Sequence, residues 1–131
     1  MNIAVRYFSR TGNTKAVAEA IAKEAGVSAV SVDSPDAAIK QPIDVLFIGG
    51  ALYAYGIDNH LKDYLNTLTK TDVKKAVVFS TSWISRHALD LIKKELAEKG
   101  IPAEEETFHV KGKPDEAQLR EAAAFTKKFL Q

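Results

Sequence analysis

The chain contains no cysteine, which excludes disulfides, thiolate nucleophiles and zinc–thiolate sites. It has almost no excess charge: 18 Lys and Arg against 17 Asp and Glu, a net of +1. The two signs alternate and form no basic stripe, so there is no broad field to draw in nucleic acid or an acidic membrane. Long apolar runs are missing too; none approaches the ~20 residues that cross a bilayer. The start, "MNIAVRYF", lacks the basic opening and longer apolar core of a secretion signal. A cytoplasmic protein with no membrane insertion is the expectation. No repeat or low-complexity tract is visible. The three histidines, His60, His87 and His109, lie on different stretches without metal-ligand spacing, and surface or structural roles are expected for each.

What remains is 131 residues of ordinary composition, enough for one domain over residues 1–131. Apolar runs alternate with helical patterns. Ile3–Phe8, Ser28–Val32, Asp44–Gly50 and Ala76–Ser80 read as strands covered on both faces. Ala16–Ala25 reads as a helix burying Val17, Ala20, Ile21 and Glu24, with Gly26 as its stop. Asp58 is placed to cap a helix carrying Leu61, Tyr64, Leu65 and Leu68, and Ser85 to cap one carrying Leu89, Ile92 and Leu96. A last helix opens near Asp115, with Gln118 completing a capping box and Leu119, Ala122, Phe125 and Phe129 on its apolar side. A fifth strand is expected within Ala103–Val110, where the acids Glu104–Glu106 mark a solvated edge rather than a magnesium site. Asp33–Pro42 is too short for a full crossover helix, so one face of the sheet should be thinly covered. Strand–helix alternation throughout implies an α/β fold with a parallel sheet and right-handed crossovers.

Between the first strand and first helix lies "SRTGNT", Ser9 to Thr14. The first N–H groups of a helix have no partner inside it and carry the positive end of its dipole, which makes an anion site. Gly12 permits turns barred to other residues. Ser9, Thr11 and Thr14 add hydroxyls and Asn13 an amide. The loop suits a phosphate, yet it matches neither G-x-x-x-x-G-K-S/T nor G-x-G-x-x-G. A phospho-acceptor receiver would want clustered acids after the first and third strands, where this chain has Ser9-Arg10 and Gly49-Gly50. An ordinary strand–turn–helix connection, with Thr and Asn as caps, is the plainer alternative.

The stretch "YFSRTGNTKAVAEAIA" resembles the phosphate loop and first helix of flavodoxins and flavodoxin-like FMN proteins, whose signature is S/T-x-T-G-x-T; Ser9, Thr11, Gly12, Asn13 and Thr14 stand at its positions. "VLFIGGALYAYGIDNHLKDYL" sits where that family has its second flavin loop and following helix, and "KKAVVFSTSW" where it has its fourth strand and third flavin loop. The resemblance implies a doubly wound five-stranded parallel sheet in the order 2-1-3-4-5, helices on both faces, and FMN as cofactor. Ligands in such sheets lie outside the carboxyl ends of the strands, where strand order reverses; flavodoxin is the standard example of that rule.

On this reading Ser9, Arg10, Thr11, Gly12, Asn13 and Thr14 belong to the phosphate loop, and because the backbone already satisfies a phosphate, the Arg10 side chain is expected to face solvent. Aromatic side chains cover a flat apolar ring well, and Tyr53 and Trp83 are expected to flank it, with Tyr55 third. Gly50 to Gly56, with Ala51 and Leu52 among them, are expected to supply backbone N–H and C=O groups to its edge. Ala54, Tyr55 and Gly56 are candidates for the flexible peptide that, in this family, answers protonation of the flavin. Ser80, Thr81 and Ser82 face the ribityl or pyrimidine side. Electron-carrier flavodoxins are typically strongly acidic. This chain is near neutral, and Arg10, Arg86 and His87 would bring positive charge near the flavin and ease its reduction.

Asp33, Asp36, Asp44 and Asp58 form no acid/base dyad and no nucleophile–base pair stands out, so any chemistry belongs to the cofactor. The first reading is an FMN-binding carrier passing electrons between redox partner proteins. A second is an FMN-dependent reductase taking hydride from NADH or NADPH for a quinone or similar acceptor. A third is a non-redox module for another phosphate ligand.

Overall fold

The structure, a computed structural model, describes residues 1–53, 56–82 and 86–130. Strands β1 (Ile3–Tyr7), β2 (Ala29–Ser31), β3 (Ile43–Gly50), β6 (Val73–Ser80) and β7 (Phe108–His109) form a parallel sheet in the order β2-β1-β3-β6-β7. Two short strands, β4 (Leu52–Tyr53) and β5 (Gly56–Ile57), pair antiparallel as a separate ribbon. That ribbon interposes two numbers; counted among the sheet's own strands, the order is 2-1-3-4-5. The helices are α1 (Asn13–Ala25), α2 (Asn59–Leu65), α3 (His87–Glu98) and α4 (Glu116–Lys127).

The unbroken apolar runs divide between two cores with the period-two alternation of a strand. Val5, Val45, Phe47, Val77 and Phe79 face α1 and α4, where they meet Val17, Ile21, Ala122, Phe125 and Phe129. Ala4, Leu46, Ile48, Ala76 and Val78 face α2 and α3, where they meet Leu61, Leu65, Leu89, Ile92 and Leu96. Fully burying one such Leu, Val or Phe side chain contributes about 1.5–3 kcal/mol, which is why these runs lie in the middle of the sheet.

Several boundaries differ from the sequence reading. Helix α1 starts at Asn13, a turn earlier than the apolar stripe suggests, and buries Thr14, Val17, Ala18, Ile21 and Ala22, while Ala20 and Glu24 are only half-buried. The small residues Ala18 and Ala22 take the buried positions, where α1 packs closely between the sheet and α4. Helix α3 begins at His87 with Arg86 at the cap position and no side-chain cap; Ser85, the expected cap, lies outside the described residues. The fifth strand is interrupted. Ala103 bridges to Ala76, Glu104 N–H donates to the Ala76 carbonyl at 2.9 Å, and regular pairing returns only at Phe108 and His109. In between, Glu105 and Glu106 are exposed, with Glu106 paired to Lys128, and Glu104 lies 3.3 Å from Lys75. No group of three or more His, Asp or Glu able to hold a metal ion occurs among the described residues, and none of their helices is long and apolar enough to cross a membrane.

Residues 33–42 form a single 3₁₀ turn, Pro35–Ala37. Beside it is a shallow recess of about 250 Å³ lined by Ile3, Arg6, Ile39 and Lys40 among others. The Ala37 carbonyl accepts from Arg6 Nε at 2.8 Å and from the Tyr64 hydroxyl, so two polar tips fasten the turn in place of helical packing.

Candidate functional site

The loops that follow β1, β3 and β6 meet at the carboxyl edge of the sheet, on either side of the point where strand order reverses. In the first loop, Ser9 Oγ accepts the Gly12 N–H at 3.0 Å, which curls the chain into α1. Gly12 is left-handed, with φ of 93°, a conformation costing another residue about 1–2 kcal/mol. Open space surrounds the position a Cβ would occupy there, so the demand for glycine is torsional and its outer side stays accessible. No side chain caps α1, and its first turn carries no acid. The positive end of this helix is left without a charge of its own.

The second loop is drawn close by two other glycines. A Cβ on Gly49 would stand 2.3 Å from the Phe79 ring, and one on Gly50 2.5 Å from Leu61 Cδ2. Their absence lets β6 and α2 close against the end of β3. Leu52 N–H donates to Ser82 Oγ at 2.8 Å, tying the second loop to the third. The third loop is tied in turn to the first: Thr14 Oγ1 and Thr81 Oγ1 are 2.7 Å apart, and both residues are buried, 1% and 4% exposed. Ser80 and Ser82 hydroxyls pair at 3.1 Å. In a hydroxyl pair the accepting member keeps its own proton to donate elsewhere, so these serines and threonines lock the loops together without exhausting their donors.

Of the expected site residues, the structure brings Ser9 to Thr14, Leu52 and Ser80 to Ser82 together; Ala51 links β3 to the ribbon, Tyr53 ends β4 and Gly56 begins β5. Ala54, Tyr55 and Trp83 lie outside the described residues.

Arg10 does not simply face solvent. Its Nε and Nη2 donate to Asp58 Oδ2 at 3.1 and 2.7 Å. Asp58 is only 6% exposed. Its Oδ1 accepts the His60 N–H at 2.7 Å, capping α2, and lies 2.8 Å from His60 Nδ1. The His60 ring stacks on Phe8, centroids 4.8 Å apart and planes 9° from parallel. Burial by itself would raise the Asp58 carboxyl, but its hydrogen bonds from Arg10 and His60 outweigh that and hold it below the usual carboxylate range. Asp58 thus ties the first loop to the helix after the second.

A comparable brace holds the third loop. The Ser82 carbonyl is 3.0 Å from His109 Nε2, and since a carbonyl only accepts, the imidazole proton is on Nε2. Sequence reasoning found Asp58 as a cap and missed its partner Arg10, and it missed His109 as a brace. Both pairs join residues far apart in the chain, 48 and 27 positions; no local pattern signals them.

The family model for the flavodoxin domain matches residues 4–130. Comparison with curated protein sequences finds no match. Among solved structures, a flavodoxin from the domain Archaea superposes with a TM-score of 0.77 at 23% identity, covering 99% of this chain and 96% of its own. Flavodoxin 1 from Bacillus cereus gives 0.79 at 20% identity, covering 99% and 97%. The flavodiiron core of Flv1 from Synechocystis gives 0.78 at 22% identity, but this chain spans only 35% of it. The loop motif, the sheet order and a family match over nearly the whole chain agree, and the chain belongs to the flavodoxin domain family.

Proposed function

We propose that residues 1–131 form one FMN-binding domain that carries electrons between partner proteins in the cytoplasm, with the phosphate at the mouth of α1 and the ring against the second and third loops. Flavodoxins bind FMN and transfer electrons. The observation that carries the residue assignment is the N-terminus of α1: a 13-residue helix with no side-chain cap, no acid in its first turn and a left-handed glycine opening it. A dianionic phosphate supplies the charge and the acceptors that this end of the helix lacks.

FMN, when bound, supplies the redox chemistry, taking up and releasing electrons at its ring. The chain's part is to bind and orient it. The backbone N–H groups of Thr11, Asn13, Thr14 and Lys15 and the Thr11 hydroxyl would hold its phosphate, the Gly12 N–H being taken by Ser9 Oγ. The Thr14–Thr81 pair fixes the distance between phosphate and ribityl ends. The Leu52–Ser82 bond sets the separation of the two loops that would hold the ring, and Tyr53, Tyr55 and Trp83 are the residues the sequence offers to cover it. The residues present fit the group: they offer donors at the anionic end, the first turn of α1 carries no acid, and the neighbouring Asp58 carboxylate is taken up by Arg10 and His60.

Titration with FMN and with riboflavin, followed by quenching of flavin fluorescence, tests the assignment. Thr11→Ala, at an exposed position, should weaken FMN several-fold and leave riboflavin unchanged; equal losses would refute a phosphate at this loop. No quenching by either flavin would remove the cofactor altogether. Fast steady-state NADPH oxidation by the flavin-loaded protein without a partner would replace the carrier by a reductase.

A further inference from the structure

We propose that Arg10 and Asp58 are positioning residues for the flavin's phosphate: the pair clamps the first loop onto the start of α2, so that the donors between Ser9 and α1 stand in place before the ligand arrives. The inference deepens the FMN reading and rests on it.

The first loop is fixed at its base. Phe8 N–H donates to the Gly49 carbonyl at 3.2 Å, which ties the end of β1 to β3, and Ser9 Oγ takes the Gly12 N–H. Arg10, Thr11 and Gly12 are exposed, so packing does little to hold this stretch. What reaches across from it is the Arg10 guanidinium, which sets two N–H donors on one oxygen of Asp58, at 3.1 and 2.7 Å. The other end of this tether is firmly seated. Asp58 is buried, Lys62 N–H donates to its carbonyl at 3.0 Å, and Leu61 and Leu65 lie fully buried in the core. The same helix start touches the first loop again where the His60 ring lies on Phe8. An ionic contact and a stacked one thus close the loop against α2.

The carboxylate is divided between two tasks. Oδ2 takes Arg10, and Oδ1 takes the His60 N–H with His60 Nδ1 at 2.8 Å. Releasing the guanidinium would leave a buried charge short of a partner, and that outweighs what an exposed cation gains from an anion in water. Arg10 therefore stays on Asp58 when a phosphate binds. It acts through the backbone it holds and not through its own charge. Ordering loop residues in advance removes an entropy cost from binding. FMN, which would use this loop, benefits far more than riboflavin, which lacks the phosphate.

Titrations of the flavin-free protein with FMN and with riboflavin test the clamp. They are run at about 0.1 M and about 1 M salt, where the screening length falls from about 10 to 3 Å. Arg10→Met keeps the stem of the side chain and removes its donors. Asp58→Ser can still cap α2, but its single oxygen cannot also serve Arg10. Each should weaken FMN about tenfold and riboflavin much less. The loss should survive at high salt, and the double variant should bind FMN no worse than either single one. Equal losses for the two flavins, additive losses in the double variant, or an unchanged FMN affinity would overturn the clamp while a parent that prefers FMN keeps the phosphate reading intact. Tighter FMN binding by Asp58→Ser, or a loss in Arg10→Met that vanishes at high salt, would also overturn it, because either puts the guanidinium on the phosphate itself. A parent protein that binds neither flavin, or binds both alike, would remove the phosphate reading and the clamp together. Should Asp58→Ser not unfold cooperatively in urea, Arg10→Met decides alone by its flavin preference and salt response, since that side chain is 54% exposed.

Discussion

Two side-chain pairs decide how firmly the site is built. The Thr14 and Thr81 hydroxyls are buried and satisfy one another. Thr14→Val keeps the shape and removes one of them, leaving the other without a partner, so unfolding free energy should fall by about 1–3 kcal/mol. Thr14→Val with Thr81→Val should cost less than the two single changes added together, because no orphaned hydroxyl remains; urea denaturation of the four proteins measures this. Asp58 makes a pH-dependent contribution. Its carboxyl titrates lower in the folded protein than the usual value of about 3.9. The stabilisation is therefore complete above the unfolded value and is lost as pH falls through the folded one. Asp58→Asn should be less stable than the parent at pH 7, and the gap between their urea midpoints should narrow as pH is lowered toward 3. A gap that stays constant would mean the loss is packing, not charge.

Helices act here mainly through their ends. Asn13→Asp places a carboxylate in the first turn of α1, which now carries none. The flavin-free protein should gain about 0.3–1 kcal/mol from the dipole, while FMN affinity should fall through repulsion of its phosphate and riboflavin affinity should hardly change. Opposite signs for stability and FMN binding are the signature, read from one denaturation and two titrations. Helix α4 starts with no ligand role. Asp115 Oδ1 takes the Gln118 N–H at 2.8 Å and Gln118 Oε1 the Asp115 N–H at 3.0 Å. Asp115→Ala should cost about 1 kcal/mol in the same assay and leave flavin binding alone. A change in affinity would show that α4 reaches the site.

For the molecule as a whole, binding and folding are linked, because the site exists only when three loops separated in sequence are brought together. At FMN concentrations a hundredfold above the dissociation constant, the folded state should gain about 2.7 kcal/mol, seen as a raised melting temperature. Riboflavin at the same concentration should raise it less, for want of the phosphate. Equal shifts would place the affinity in the ring contacts alone.

The sheet was legible because its strands are buried on both faces, so Val45–Ile48 and Ala76–Phe79 read as continuous apolar runs. The capping box at Asp115 and Gln118 was equally plain, since all its partners lie within one turn. Less legible were the edges: the fifth strand breaks where Glu105 and Glu106 turn to solvent, and α1 begins before its apolar stripe does. The turn from Ser9 to Thr14 into α1 was legible from residue types and spacing alone, because helix ends and left-handed glycines are local physics. By itself the sequence thus determined the order of the sheet's strands and of the helices, the two-sided burial, and the loop proposed for a phosphate. Only the tertiary structure decided that Arg10 is turned onto Asp58, that Thr14 meets Thr81, and that His109 holds the Ser82 carbonyl. Those contacts join residues 48, 67 and 27 positions apart, and a partner that distant becomes a neighbour only after the crossovers have laid the strand ends side by side.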